Sequence, residues 1–426
     1  MATIRPRLLF KSCSFTRSFS TSLRRQEIRD IKCLPHKIIP EYQKTSRSEL
    51  LALRWPAPPR NILLVKKNGV PEVTQSVIDF AKHIHSTYPS ISVIVEADAA
   101  AEIHDVLPFP VHTLPRSGNF HANLFHEKVD LVTTLGGDGT ILHASSLFAT
   151  TNVVPPLLSF SLGTLGFLGE WKFQEYKRAF REVYMSGAGD GYGITLENGD
   201  DSLDNTGGWS SLRGKSLGAT RNARILMRNR LKVGVYSPTG KRIGGDDVNA
   251  PSSGDIHAMN EVILHRGKDP HLVIVEVFVG GRFLTEAVAD GMIVATPTGS
   301  TAYSLSSGGS IVHPLVSSLL ITPICPRSLS FRPLVLPSNT PVTLRLSEKN
   351  RGREVEVSVD GVQLTQGLNV GMEIKVWGEE MRTAERVWKG GVPSVMRGAS
   401  GTEADDGWVG GLNGLLKFNY PFGEET

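Results

Sequence analysis

Apolar residues along this chain keep two different periods. In the first half, the short runs at 61–65, 91–95, 129–135 and 157–161 are mostly apolar or β-branched, without strict alternation. Runs of that kind predict strands buried on both faces. Between them Val73, Val77, Phe80, Ala81 and Ile84 recur at the spacing of one helix face, which predicts a helix over 73–85. Ile141, Leu142, Leu147 and Phe148 predict another after Thr140, and 171–185 reads as a helix closing this part. Strands alternating with helices imply a parallel sheet whose chemistry sits at the C-terminal ends of its strands.

After residue 218 the period changes. The segments 224–236, 261–265, 272–279, 342–346, 355–359 and 374–377 alternate or are β-branched, with turn residues between them and few helix signals. The predicted organisation is an α/β domain over 58–190 with a parallel sheet, then a mostly antiparallel, β-rich domain over 219–390. Between them 191–218 shifts to Gly, Asp, Asn and Ser and reads as a linker or insertion. The tail 391–426 is Gly-rich, then apolar at Leu412, Leu415, Leu416, Phe418 and Tyr420. It is expected to pack back on the first domain.

Charge changes this picture only at the N-terminus. The formal charge of the 426-residue chain is +4, and part of it lies before Glu27, the first acidic residue. No basic stripe runs through the body of the chain, which argues against nucleic acid. No apolar run is long enough to span a membrane. Cys13, Cys33 and Cys325 are too few and too scattered for a disulfide framework or a cysteine-rich zinc site. In 1–26, Arg5, Arg7, Lys11, Arg17, Arg24 and Arg25 are interleaved with Leu8, Leu9, Phe10, Phe15 and Phe19 among many Ser and Thr. That composition predicts a mitochondrial transit peptide and a matrix location. Arg17-Ser18-Phe19-Ser20 resembles a matrix-protease site cut after Phe19.

The strand at 129–135 runs into Gly136-Gly137-Asp138-Gly139-Thr140 and then into a helix. A strand, a glycine turn and a helix start present backbone N–H groups to an anion, and glycine lets a phosphate approach without a Cβ in the way. Asp138 is the odd member, because a carboxylate repels phosphate. A helix cap, a metal-binding group and a proton acceptor all fit it on spacing alone. A second glycine turn, Gly163-Thr164-Leu165-Gly166-Phe167-Leu168-Gly169, also follows a strand and could share a crevice with the first. In the β half, Asn260-Glu261 precedes an apolar strand and suits turn donors or a pair of ribose hydroxyls. The run Asp290-Gly291 to Gly309 is dense in hydroxyls and glycines between apolar flanks, with Tyr303 able to stack on a base.

Taken together these motifs, in this order over roughly 62–377, resemble the NAD kinase family. The Gly136-Gly137-Asp138-Gly139 motif alone is shared with diacylglycerol, sphingosine and phosphofructokinase relatives. Asn260-Glu261, Leu165 to Leu168, Leu329 to Leu336, and above all Asp290-Gly291 followed by Thr296 to Tyr303 look specific to NAD kinases. With the presequence, the chain looks most like the fungal mitochondrial members, which are often better NADH than NAD kinases. The resemblance implies an α/β N-terminal domain, a β-sandwich-like C-terminal domain and a homo-oligomer. It implies that ATP, with Mg²⁺ or another divalent cation, phosphorylates the adenosine-ribose 2′-hydroxyl of NADH or NAD. Asp138 matches the family's proton acceptor, and Gly136, Gly137, Gly139 and Thr140 its phosphate loop. Phe167, Asn260, Glu261, Asp290, Thr301, Ala302, Tyr303 and Ser306 match its dinucleotide-binding positions. No metal ligand is assigned. Asp360-Gly361-Val362-Gln363 is near the family's Asp-Gly-Gln turn with one residue more.

No Gly-x-x-x-x-Gly-Lys-Ser/Thr loop exists in the chain, so it is not a P-loop kinase. A lipid kinase would need an apolar entry surface and leaves the 290–309 run unexplained. A non-catalytic dinucleotide sensor has no use for a base at Asp138.

Overall fold

A computed structural model describes residues 27–45, 48–114, 122–163, 165–188, 222–243, 256–364, 367–384 and 387–397, with Trp408, Leu412, Leu415 and Leu416 of the tail. The predicted transit peptide 1–26 and the insertion 191–218 lie outside the described residues.

The first layer is one sheet of eleven strands. Its middle is parallel: Ser92–Val95, Asn61–Lys66, Leu131–Leu135 and Leu157–Ser161 lie side by side in that order. The last three are buried along their whole length, which is why their sequences do not alternate. Helix Pro71–Thr87 covers one face, with Pro71 in the first turn, where its missing N–H costs nothing. Val73, Val77, Phe80, Ala81 and Ile84 point inward from it. Phe80 meets Phe160, Tyr176 and Phe180 edge-on at 5.5–5.6 Å.

This layer is wider than the predicted 58–190. Ile28–Asp30 pairs with Val111–Thr113 at one edge, and Glu41–Thr45 and Ser48–Arg54 form the other. Val392–Met396 lies between Leu157–Ser161 and Arg224–Arg228. The predicted strand 224–236 is therefore two strands. Arg224–Arg228 belongs to the first layer and Leu231–Tyr236 to the second, with Asn229 and Arg230 buried at the crossing. The predicted start of the β half at 219 moves accordingly to 231. The run 171–185 also divides. Trp171–Lys172 pairs with Leu157–Ser161, and the helix itself is Tyr176–Tyr184.

The second layer is β-sandwich-like. One sheet holds Leu231–Tyr236, Glu373–Gly378, Val342–Leu346, Val273–Val279 and Arg282–Ala289 in that order, and all these pairs are antiparallel. The other holds Leu334–Pro337, Ser318–Ile324, Gly291–Ala295, Glu261–His265 and Glu354–Val359, again antiparallel. Val233, Val275 and Val342 from the first share one core with Val262, Met292, Ile321 and Val357 from the second. No helix among the described residues is long and apolar enough to cross a membrane. In the tail, the Trp408 ring packs edge-on to His313 of the β layer, 4.6 Å between centroids.

Candidate active site

The parallel strand Leu131–Leu135 ends at Gly136-Gly137, and helix Asp138–Ser146 begins at once. Gly136 has no room for a side chain, since a Cβ there would lie 2.2 Å from Thr140 Oγ1. Gly137 and Gly139 face open space where a Cβ would stand. The helix start thus turns unpaired N–H groups outward, and its dipole favours an anion there. A cavity of about 390 Å³ opens on this side, lined by Lys66, Lys67, Asn68, Gly137, Gly139, Thr140 and His143. Lys66 extends from the end of Asn61–Lys66. Its side chain is nearly inaccessible, and its Nζ lies 2.7 Å from Glu102 Oε2. Lys66 holds the Glu102 carboxyl below the usual carboxylate range. His143 Nε2 lies 2.8 Å from Glu96 Oε1, and that contact raises the His143 pKa. Two lysines, an imidazole and a helix N-terminus suit a polyphosphate.

Asp138 is the first residue of its helix, but its carboxylate does not turn back to cap it. Oδ2 accepts the Phe167 N–H at 2.9 Å and Oδ1 the Leu168 N–H at 3.2 Å. The second glycine turn therefore wraps the carboxylate, as adjacency of Leu131–Leu135 and Leu157–Ser161 permits. Each oxygen keeps a further lone pair for another partner. Behind the turn, buried Arg228 donates from Nε to Ser394 Oγ at 3.1 Å and from Nη2 to the Leu168 carbonyl at 3.4 Å. Burial lowers the Arg228 pKa, while the charges of Glu170 and Asp138 oppose that shift.

The second group of residues forms around the turn 259–261. The Thr296 N–H donates to the Asn260 carbonyl at 2.8 Å, and Thr296 Oγ1 to the Met259 carbonyl at 2.6 Å. Gly299 lies flat on the same turn: a Cβ there would be 2.2 Å from the Asn260 carbonyl oxygen. This contact carries the following run to the same place. Thr301 Oγ1 donates to the Thr298 carbonyl at 3.2 Å, and the Ala302 N–H to the Gly299 carbonyl at 3.0 Å. Tyr303 and Ser306 remain exposed. Asn260 Oδ1 and Glu261 Oε2 are buried without a hydrogen-bond partner among the described residues. Such atoms are costly unless a ligand satisfies them.

The two groups meet across one core, in which Met259 packs with Ile141 of the Asp138 helix and Leu168 of the second glycine turn. Phe167 lies half-buried at the same turn. Asp290 does not join them within this chain. Glu261 pairs with Ala295 at one end of Gly291–Ala295, whereas Asp290 precedes the other end. At about 3.3 Å per residue, that separation is roughly 16 Å. There Asp290 Oδ1 accepts from Arg266 Nε at 2.6 Å. Sequence reasoning missed Lys66, Lys67, His143 and Arg228, and placed Asp360 in a turn without giving it a role. The two lysines stand at the end of a buried strand with no motif around them, and the others gain meaning only through contacts distant in sequence. No three His, Cys, Asp or Glu side chains among the described residues gather as a metal-holding group.

Comparison with known proteins places these features in context. The family model described as the ATP-NAD kinase N-terminal domain matches residues 66–188, and that of the ATP-NAD kinase C-terminal domain matches 259–382. The chain is 36% identical over 405 residues to a Schizosaccharomyces pombe protein named "NADH kinase pos5, mitochondrial", covering 93% of this chain and 86% of the relative. It is 36% identical over 409 residues to the Saccharomyces cerevisiae protein named "NADH kinase POS5, mitochondrial", covering 90% and 86%. Among solved structures, yeast NADH kinase complexed with NADH superposes with a TM-score of 0.73 at 35% identity, covering 94% of this chain and 98% of that one.

Proposed function

The chain belongs to the NAD kinase family, and we propose that it phosphorylates the adenosine-ribose 2′-hydroxyl of NADH or NAD inside mitochondria. It is an ATP-dependent NAD(H) kinase. In the reaction proposed here, the 2′-oxygen forms a bond to the γ-phosphorus of ATP as the bond to the β,γ-bridging oxygen breaks, and ADP leaves. A ribose hydroxyl is a poor nucleophile until its proton has somewhere to go. Asp138 takes that proton. The observation that carries this reading is the pair of N–H bonds from Phe167 and Leu168 to the Asp138 carboxylate. They hold a base beside the phosphate-binding helix start without using all of its lone pairs.

The triphosphate occupies the cavity bounded by Lys66, Lys67, Gly137, Gly139, Thr140 and His143. There N–H dipoles and cations offset charge on the transferred group. Asn260 and Glu261 take ribose hydroxyls on their unpartnered oxygens, and Tyr303 stacks on adenine, with Phe167, Thr301, Ala302 and Ser306 around them. Mg²⁺ or another divalent cation would accompany the donor and would offset charge on its phosphates. The protein acts in the matrix as a homo-oligomer.

Steady-state kinetics of the processed protein with NADH, NAD, ATP and polyphosphate tests this reading, with the product position assigned by phosphorus NMR. Phosphate at the 2′-position supports it. Phosphorylation elsewhere, or of lipid alone, overturns it. Light scattering of the same sample reads the oligomer, and a monomer at working concentration removes that part.

A further inference from the structure

Asp360 and Gly361 form the two-residue turn between Glu354–Val359 and Val362–Gln363. Both have positive φ, 48° and 79°, as a tight hairpin turn of this kind requires. Asp-Gly and Asn-Gly serve that turn equally well. The turn alone therefore does not explain a carboxylate at 360.

The contacts of the side chain do. The Met259 N–H donates to Oδ2 at 2.7 Å, and the Asn260 and Glu261 N–H groups donate to Oδ1 at 2.7 and 3.1 Å. The Asp360 N–H in turn donates to the Glu261 carbonyl at 3.0 Å. Three successive backbone N–H groups converging on one oxyanion make a nest, which fixes the backbone that supplies them. An amide in the same place turns an NH₂ toward one of those donors and loses that bond. The turn so fixed carries the buried, unpartnered Asn260 Oδ1 and Glu261 Oε2.

We propose that Asp360 is a positioning residue for the dinucleotide: from behind the 259–261 turn it aims Asn260 and Glu261 at the ribose. This rests on the reading that those two residues bind the dinucleotide.

The same carboxylate acts on Glu261 through its charge. Burial, and then the Asp360 charge, push the Glu261 carboxyl up to about 8. Asp360 supplies the charge that acts on Glu261, and its three N–H donors and the Arg230 charge favour that anion against the burial that raises its pKa. Arg230 itself is engaged by Glu379, which also faces His257. The strand neighbours of this end of Glu261–His265 are uncharged: Ala295 opposite Glu261, and Val294 and Val359 opposite Val262. Glu261 therefore meets the ligand as a neutral acid below its pKa, and that form is lost as pH rises through it. Removing the Asp360 charge moves the loss to lower pH.

The test compares full-length wild type with Asp360→Asn and Asp360→Gly, both compatible with the turn, and with Asn260→Ala. Initial rates give KM for NADH and kcat from pH 6 to 9, NADH fluorescence gives direct binding, and a thermal melt verifies folding. The expected result is a KM for NADH raised roughly tenfold or more in both Asp360 variants, as bonds to a charged group are lost, with kcat within a few fold. In Asp360→Asn the alkaline limb of kcat/KM moves to lower pH. An unchanged KM and an unchanged limb in the folded Asp360 variants overturn the proposal. If Asn260→Ala raises KM in that case, the positioning role alone falls. If Asn260→Ala also leaves KM unchanged, the reading of the dinucleotide site falls with it.

Discussion

Asp138 and Gly166 are shaped to each other: a Cβ at 166 would stand 2.2 Å from Asp138 Oδ1. The second glycine turn closes over the carboxylate, and the next two residues donate their N–H groups to it. Gly166→Ala should push the carboxylate out of this clasp. Misplacement of a reacting group by about 1 Å can cost roughly 10²-fold in rate, so a kcat loss of that order is expected with KM for both substrates little changed. Paired kinetics and thermal melts measure it. Full activity in the alanine variant removes the clasp from the mechanism.

The cavity beside the clasp predicts a different phenotype. Lys66→Met keeps the buried stem and removes the ammonium that faces Glu102 and the cavity. KM for ATP should rise roughly tenfold, about 1.4 kcal/mol, while KM for NADH stays close to normal. The Glu96 contact raises the His143 pKa, so His143 is protonated at low pH and loses its charge as pH rises through that raised value. KM for ATP should therefore climb with pH, and His143→Gln should flatten the climb. Isothermal titration with a non-hydrolysable ATP analogue checks both.

How far these features could be read from the sequence follows from where their information lies. Leu131–Leu135 and Leu157–Ser161 are buried throughout, so composition alone marks them, and the two glycine turns after them follow in register. The edge strands Glu41–Thr45 and Ser48–Arg54 are half exposed and carry no such mark. Ser48–Arg54 is placed by pairing with Arg224–Arg228, about 170 residues away, and Glu41–Thr45 by pairing with Ser48–Arg54 in turn. The split at Asn229-Arg230 was hidden because apolar runs flank it on both sides. It shows only through Arg230, whose guanidinium holds Glu379 and the carbonyls of Phe148 and Thr151. Asp290 and Tyr303 stand in one motif run, but strand Gly291–Ala295 lies between them and separates its two ends in space.

The segment before strand Asn61–Lys66 should be indispensable, unlike the predicted presequence. Asp130 accepts the N–H groups of Ile38, Arg60 and Asn61, Asn61 Nδ2 donates to the Pro35 carbonyl at 3.0 Å, and Lys128 Nζ donates to the Leu34 carbonyl at 2.9 Å. Deleting 1–26 should leave the melting midpoint unchanged. Deleting 1–45 removes several buried bonds worth about 1 kcal/mol each, together with the burial of Ile31, and should lower the midpoint by roughly 10 °C or abolish soluble expression. Calorimetry of the two truncations decides. Equal midpoints would show that the wrapped segment contributes nothing.

Tyr303 reports on the base. It is 39% exposed in a run made mainly of small and hydroxylic residues. Tyr303→Ala should weaken dinucleotide binding by about 1–3 kcal/mol, the range for one base stacked on one aromatic ring, and should alter ATP binding less. Fluorescence titration with NADH measures it. An unaltered dissociation constant would move adenine elsewhere.

The central claim is that Asp138 takes the proton of the attacking hydroxyl, and Asp138→Asn tests it most directly. Asparagine keeps the size and one carbonyl oxygen to accept from the 167–168 backbone, but it is not a base. The measurement is single-turnover phosphorylation of NADH at saturating ATP across a Mg²⁺ series, with a thermal melt of the same preparation. The account predicts a folded variant that binds NADH nearly as wild type and turns over about 10²–10⁴-fold more slowly at every Mg²⁺ concentration. Recovery at high Mg²⁺ would make Asp138 a metal-binding group instead. A folded variant with near-normal turnover would contradict the account outright.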